Sequence, residues 1–232
     1  MAEDEFDFSD IDFTPFIRPN YFEKGMDELK AEVGENNRFA AFELGRRFRA
    51  KNELNTAYQY FSLSAELGDT DAPLEAALIA DRQHRDHDAI HFLEMQIERT
   101  DSAKAHVLLG KYYTLGKAGN FISRSKKAFG HYLSAAQQGD AEAQFYTSLA
   151  YCHGEGVSKS MREYVFWLRC AQLNGWKPAA QRIYKCMSQR EYTQAWKEFL
   201  AEADKRISQH EEYIEEYIRS QIRKELDEEE QK

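Results

Sequence analysis

The chain has 232 residues, of which 42% are hydrophobic and 31% charged, with only four prolines. That composition supports one large helical domain or a short repeat array, and argues against a sheet of short strands with frequent turns. The net charge of −9 sits at the ends: residues 1–12 hold six acids and no base, residues 198–232 twelve acids and six bases, which leaves 13–197 at +3. A body so weakly basic excludes a nucleic-acid partner, which calls for a strongly basic face.

In chain order, residues 1–20 alternate acids with Phe6, Phe8, Phe13 and Phe16. Acidic-aromatic segments of this kind stay disordered alone and dock where a basic, apolar groove accepts the rings. The plainer reading is a solubilising tail. The start lacks the basic residues and continuous apolar run of a secretory signal. No stretch in the chain approaches the roughly 18–20 apolar residues that span a bilayer, so membrane insertion is not expected. Residues 21–36 are expected to form an N-terminal helix.

From residue 37 the same outline recurs. Ala40 precedes Leu44-Gly45 and Phe48; Ala105 precedes Leu109-Gly110 and Tyr113. Ala143 precedes Thr147-Ser148 and Tyr151, and more degenerate copies begin at Ala72 and Ala180. Spacings of 32, 33, 38 and 37 between these alanines belong to stacked two-helix units. Small residues let helices approach closely, and aromatics fill the wedge between them. Gly68, Gly139 and Gly175 fall where the second helix should end in a left-handed residue. Asp69 and Asp140 come next, placed to cap the following helix. The expected fold is an all-α, right-handed α/α solenoid of about five helix-turn-helix repeats over residues 37–200. A charged C-terminal helix over 201–232 is expected to cap it, with an apolar stripe through Ile207, Ile214, Ile218, Ile222 and Leu226. An ordinary helical bundle is the simpler alternative.

The fourth unit joins Ala141-Glu142-Ala143-Gln144, the Gly154-Glu155-Gly156-Val157 loop, Trp167 and an Ala171…Gly175 ending. This resembles a Sel-1-like repeat, a long-loop variant of the tetratricopeptide solenoids, with the clearest likeness across 103–181. The third unit shares Gly116 but moves its second glycine to Gly119, and the first two have shorter, tetratricopeptide-like loops. The resemblance implies an adaptor or scaffold, in a family with many bacterial members. It also implies that first helices line the binding face. Carried over by register, that face offers Phe39, Phe42, Arg46, Arg49, Lys104, Lys111, Phe145 and Arg182, a basic groove with exposed rings. Such a groove suits an acidic-aromatic protein segment, including residues 3–17 of the chain itself. The simpler reading is that these bases pair with neighbouring glutamates.

Chemistry is sparse. His84, His87 and His91 stand among aspartates in the second unit, with His87 and His91 four apart on one helix face. They are weak metal candidates, since a structural site generally needs more ligands in fixed geometry. Cys152 beside His153 lacks the base and orienting group that a nucleophile requires. With Cys170 and Cys186 it makes an odd number of cysteines and no CxxC pair, which fits a reducing, cytoplasmic setting without a disulfide framework. No catalytic residue and no cofactor is expected. The function expected is a non-catalytic adaptor that binds protein or peptide partners. A structural subunit that self-associates through its N-terminal segment and C-terminal helix is the alternative, and a metal-binding protein comes third.

Overall fold

The computed structural model describes residues 21, 23–116, 121–188 and 194–210. The expected behaviour of Phe6, Phe8, Phe13 and Phe16, and of the stripe beyond Ile207, lies outside these residues. The described residues are helical with tight turns and contain no strand. The chain divides into two compact units, one up to Asp101 and one from Ser102.

The first unit holds α1 (Met26–Gly34), α2 (Arg38–Ala50), α3 (Leu54–Glu66), α4 (Ala72–Arg82) and α5 (Asp86–Thr100). Its turns are built by local hydrogen bonding. Asn37 Oδ1 accepts from Phe39 N and Ala40 N at 3.0 and 3.2 Å, capping α2. The links α2–α3 and α4–α5 each pivot on one left-handed residue, Asn52 (φ 62°) and His84 (φ 58°). In each link the next two amides return to the helix, Asn52 N to Arg49 O and Glu53 N to Phe48 O, then His84 N to Asp81 O and Arg85 N to Ala80 O. That pattern satisfies carbonyls a helix end would otherwise orphan. Gly68 (φ 91°) ends the linker from α3 in the same way. Asp69, almost fully buried, then accepts from Asp71 N and Ala72 N at 2.9 Å each and starts α4.

The second unit holds α6 (Ala103–Thr114), α7 (Phe121–Gln137), α8 (Ala141–His153), α9 (Met161–Leu173), α10 (Lys177–Ser188) and a further helix, α11, over 194–210. Gly139 (φ 89°) and Gly175 (φ 84°) close α7 and α9 as expected. Asp140 caps α8 by accepting from Ala143 N at 2.8 Å. Helix α11 runs unbroken across residue 200, where the sequence reading placed a boundary. It buries Trp196 and Ala203 against Tyr164, Val165 and Leu168 of α9. Three ion pairs tie the same two helices: Arg162–Glu202, Arg169–Asp204 and Arg206–Glu163, at 3.0, 2.7 and 2.9 Å.

The anchor alanines Ala40, Ala72, Ala105 and Ala143 are fully buried. The fifth anchor is a correction. Ala179, not Ala180, is fully buried, and Ile183 lies under it four residues on, as Leu44 and Leu109 do in their repeats. Two neighbouring alanines conceal this shift in the sequence. Within a repeat, the glycine after the anchor leucine lets the paired helix close in. A Cβ built on Gly45 would lie 2.8 Å from the Phe61 ring, and one on Gly110 2.6 Å from the Tyr132 ring.

Candidate functional site

In the first unit the predicted groove residues are largely engaged. Phe39 is half-buried beneath the Arg38 guanidinium, 4.7 Å from its ring centre. Phe42 is buried, edge-on to Phe61 with centroids 5.3 Å apart, so it belongs to the core rather than to an open groove. Arg46 donates to Glu43 at 3.0 Å, and Arg49 pairs with Glu75 on α4, joining the first helices of successive repeats. Sequence reasoning missed Arg47. It reaches Glu43 at 2.9 Å, Lys24 O at 2.7 Å and Tyr21 O at 2.8 Å, holding the entering chain on α2. Nothing in the sequence separates it from Arg46 and Arg49.

The histidines of this unit are placed apart in role. His84 makes the α4–α5 turn; His87 and His91 are exposed on α5, with the His91 ring 5.3 Å from Phe92. Among the described residues no group of three or more His, Cys, Asp and Glu could hold a metal ion.

In the second unit Lys104 is exposed on α6, and Lys111 donates to Glu142 at 2.8 Å, linking α6 to α8. Phe145 is half-buried beside Tyr146. Arg182 follows from the shifted anchor. With Ala179 as reference it leaves the groove register, and its Nε donates to the Tyr164 hydroxyl at 2.8 Å. Burial pushes the Tyr164 hydroxyl up from its ordinary pKa. The cysteines are free thiols, all half-buried. Burial pushes Cys170 up to about 11 and raises Cys186, so neither is a thiolate at neutral pH. Cys152 packs against the cluster of Tyr164, Val165 and Leu168.

One concave feature of this unit was not foreseen. A cavity of about 410 Å³ opens between α6, α7 and α8. Its walls are Tyr113, Phe129, Tyr132, Tyr146 and Leu149, with Arg124, His153 and Glu155 among its polar lining residues. Tyr132 and Tyr146 stack with centroids 4.9 Å apart, and burial pushes the Tyr132 hydroxyl up to about 12. Behind this wall Tyr113 stacks on His131 at 5.5 Å, and His131 Nδ1 meets His106 Nδ1 at 2.9 Å, so one ring donates and the other accepts. The volume falls in the range of about 300–1,000 Å³ typical of small-ligand pockets. The Gly154–Gly156 loop seats against α7 beside the cavity: a Cβ on Gly156 (φ 76°) would strike the backbone at Ser125. Gly156 is therefore a glycine because the loop presses on another helix there, whereas Gly154 (φ 77°) ends α8 in the left-handed conformation.

No protein-family model matches the chain, and no curated protein does. Solved structures do. One is the Sel1 repeat protein from Oxalobacter formigenes, 20% identical, with a TM-score of 0.61 over 75% of this chain and 76% of that one. Another is a protective antigen present in uropathogenic Escherichia coli strains and displaying an SLR fold, 22% identical, with a TM-score of 0.59 over 78% of this chain. The match spans 44% of that antigen. At these identities the likeness is one of architecture: the chain has the Sel1-like repeat fold.

Proposed function

We propose that the protein is a non-catalytic adaptor or scaffold that binds segments of other proteins along the first helices of its repeats. The observation that carries this reading is the cavity walled by Tyr113, Tyr146 and Leu149 from the first helices α6 and α8. Rings with polar edges, held rigid by stacking, are the side chains that give protein interfaces their strongest anchors. The fold supports it, since stacked helix pairs offer extended faces for partner segments. The half-buried, free thiols fit a cytoplasmic setting, and no described helix is long and apolar enough to cross a membrane.

The test is capture of partners from native cells by the full chain, identified by mass spectrometry, beside a Leu149→Arg variant and an Arg46→Glu/Arg49→Glu variant. At least one variant that keeps its helical circular dichroism should lose a partner that the unaltered chain recovers. Identical partner sets from all three proteins would sink the reading. Self-association is the second reading, favoured by Tyr184, which is 77% exposed where the equivalent residues Gly45 and Gly110 are buried. Sedimentation over a concentration range separates the two.

A further inference from the structure

The third repeat differs in charge from the rest of the chain. Residues 103–137 contain six basic residues, Lys104, Lys111, Lys117, Arg124, Lys126 and Lys127, and no acidic one, in a chain of net charge −9. The same repeat supplies two sides of the aromatic cavity. Lys126 and Lys127 are exposed on α7, directly after Ser125 in the wall, and Lys127 Nζ lies 5.3 Å from the centre of the Tyr113 ring. The cavity thus combines a ring-lined interior, with Arg124 and Glu155 in its lining, and Lys127 beside one of its rings, with Lys126 adjacent along α7. Its complement lies at the start of the chain: residues 1–12 hold six acids and no base, and the first sixteen residues carry Phe6, Phe8, Phe13 and Phe16.

We propose that the third-repeat cavity is the docking site for residues 3–17 of this chain, with a phenylalanine side chain in the cavity and the acids against Lys126 and Lys127. Neither half is sufficient alone. Exposed charge pairs are individually weak, and a single ring buries too little surface to hold a segment that must also be ordered. Together they give anchoring and orientation, with the charges steering the encounter. A segment so placed would compete with any partner that uses the same cavity, which makes the tail a built-in competitor. The inference rests on the peptide-binding reading above and narrows it to one site and one ligand chemistry.

The experiment uses the full chain with Phe6, Phe8, Phe13 and Phe16 all replaced by Ser, so that its own tail cannot compete. A fluorescent peptide of residues 1–18 is titrated with this protein and followed by anisotropy. Saturable binding that weakens with ionic strength is expected. Lys126→Glu/Lys127→Glu should weaken it about tenfold. Lys51→Glu/Lys197→Glu, with the same change in net charge at exposed positions away from the cavity lining, should change it less than about threefold. The lysines are exposed, so both double variants should keep the fold, checked by circular dichroism. A peptide with the four Phe→Ser changes should not bind. Absence of saturable binding, or equal losses in the two double variants, overturns the inference. If partner capture persists while the peptide fails to bind, this inference falls and the adaptor reading stands. If the peptide binds while no variant alters partner capture, the reverse holds.

Discussion

Gly110 shows how much one missing atom decides. A methyl group there would sit 2.6 Å from the Tyr132 ring, which is itself fixed by stacking on Tyr146. Helix propensity alone favours alanine over glycine by about 1 kcal/mol, but overpacking a fixed ring costs about 1–3 kcal/mol. Gly110→Ala should therefore destabilise the protein by up to about 2 kcal/mol, read from the urea midpoint. In the fourth repeat Thr147 and Ser148 replace the Leu-Gly pair. Ser148 is fully buried and donates to Phe145 O at 2.6 Å, whereas Thr147 Oγ1 is buried with no hydrogen-bond partner. Exchanging that hydroxyl for a methyl removes an uncompensated desolvation, so Thr147→Val should raise stability by about 1 kcal/mol. A lower melting temperature for this variant would show that the hydroxyl is satisfied in solution.

At the scale of the helix, caps and clips decide where elements begin and what they rest on. Asp140 is the single side chain that caps α8, so Asp140→Ala should cost about 0.5–2 kcal/mol, and Asp140→Asn much less because the acceptor is kept. Denaturant titration of the two variants checks the order. Of the three ion pairs between α9 and α11, Arg162–Glu202 is exposed and contributes little. What holds α11 is Trp196, 5% exposed and edge-on to Tyr164. Trp196→Ala should cost about 3–5 kcal/mol, far more than Arg162→Ala. Comparable losses in the two variants would mean the ion pairs, not the indole, hold the helix.

For the molecule as a whole, half-buried His131 sets a dependence on pH. Burial, then the neighbouring His106, then Lys127 push His131 down from 6.5 to about 4. Tyr113 stacks on the same ring and adds no charge to offset these. Between those two values the unfolded chain binds a proton that the folded state refuses. Stability should be fully present above about pH 6.5, fall as pH is lowered toward 4, and level off below it. His131→Phe should flatten that part of the profile relative to the unaltered chain, measured as the difference in urea midpoint at each pH. Parallel profiles for the two proteins would show that His131 does not titrate as its surroundings imply.

Much of the fold was legible in the residues, because periodic signals are local. Alanines spaced by one repeat, glycines that end second helices and aspartates that start first helices act through bonds within a few residues, so their meaning survives without tertiary information. The resemblance of the fourth repeat to Sel-1-like sequences rested on the same signals. The fifth anchor failed for the same reason: Ala179 and Ala180 are equally good locally, and only burial over Ile183 chooses between them. Side-chain partners were not legible either. Arg46, Arg47 and Arg49 look alike in sequence, yet one stays beside Glu43, one clamps backbone carbonyls of the entering chain, and one crosses to the next repeat. The cavity needed three helices from two repeats to exist at all. The sequence by itself therefore determined the repeat, its turns and the separation of charge. Tertiary structure decided which rings are buried, which bases are engaged and where a partner's side chain could enter. The physical reason is range: turn and cap energies are set by neighbours along the chain, whereas burial and pairing are set by whatever the fold brings alongside.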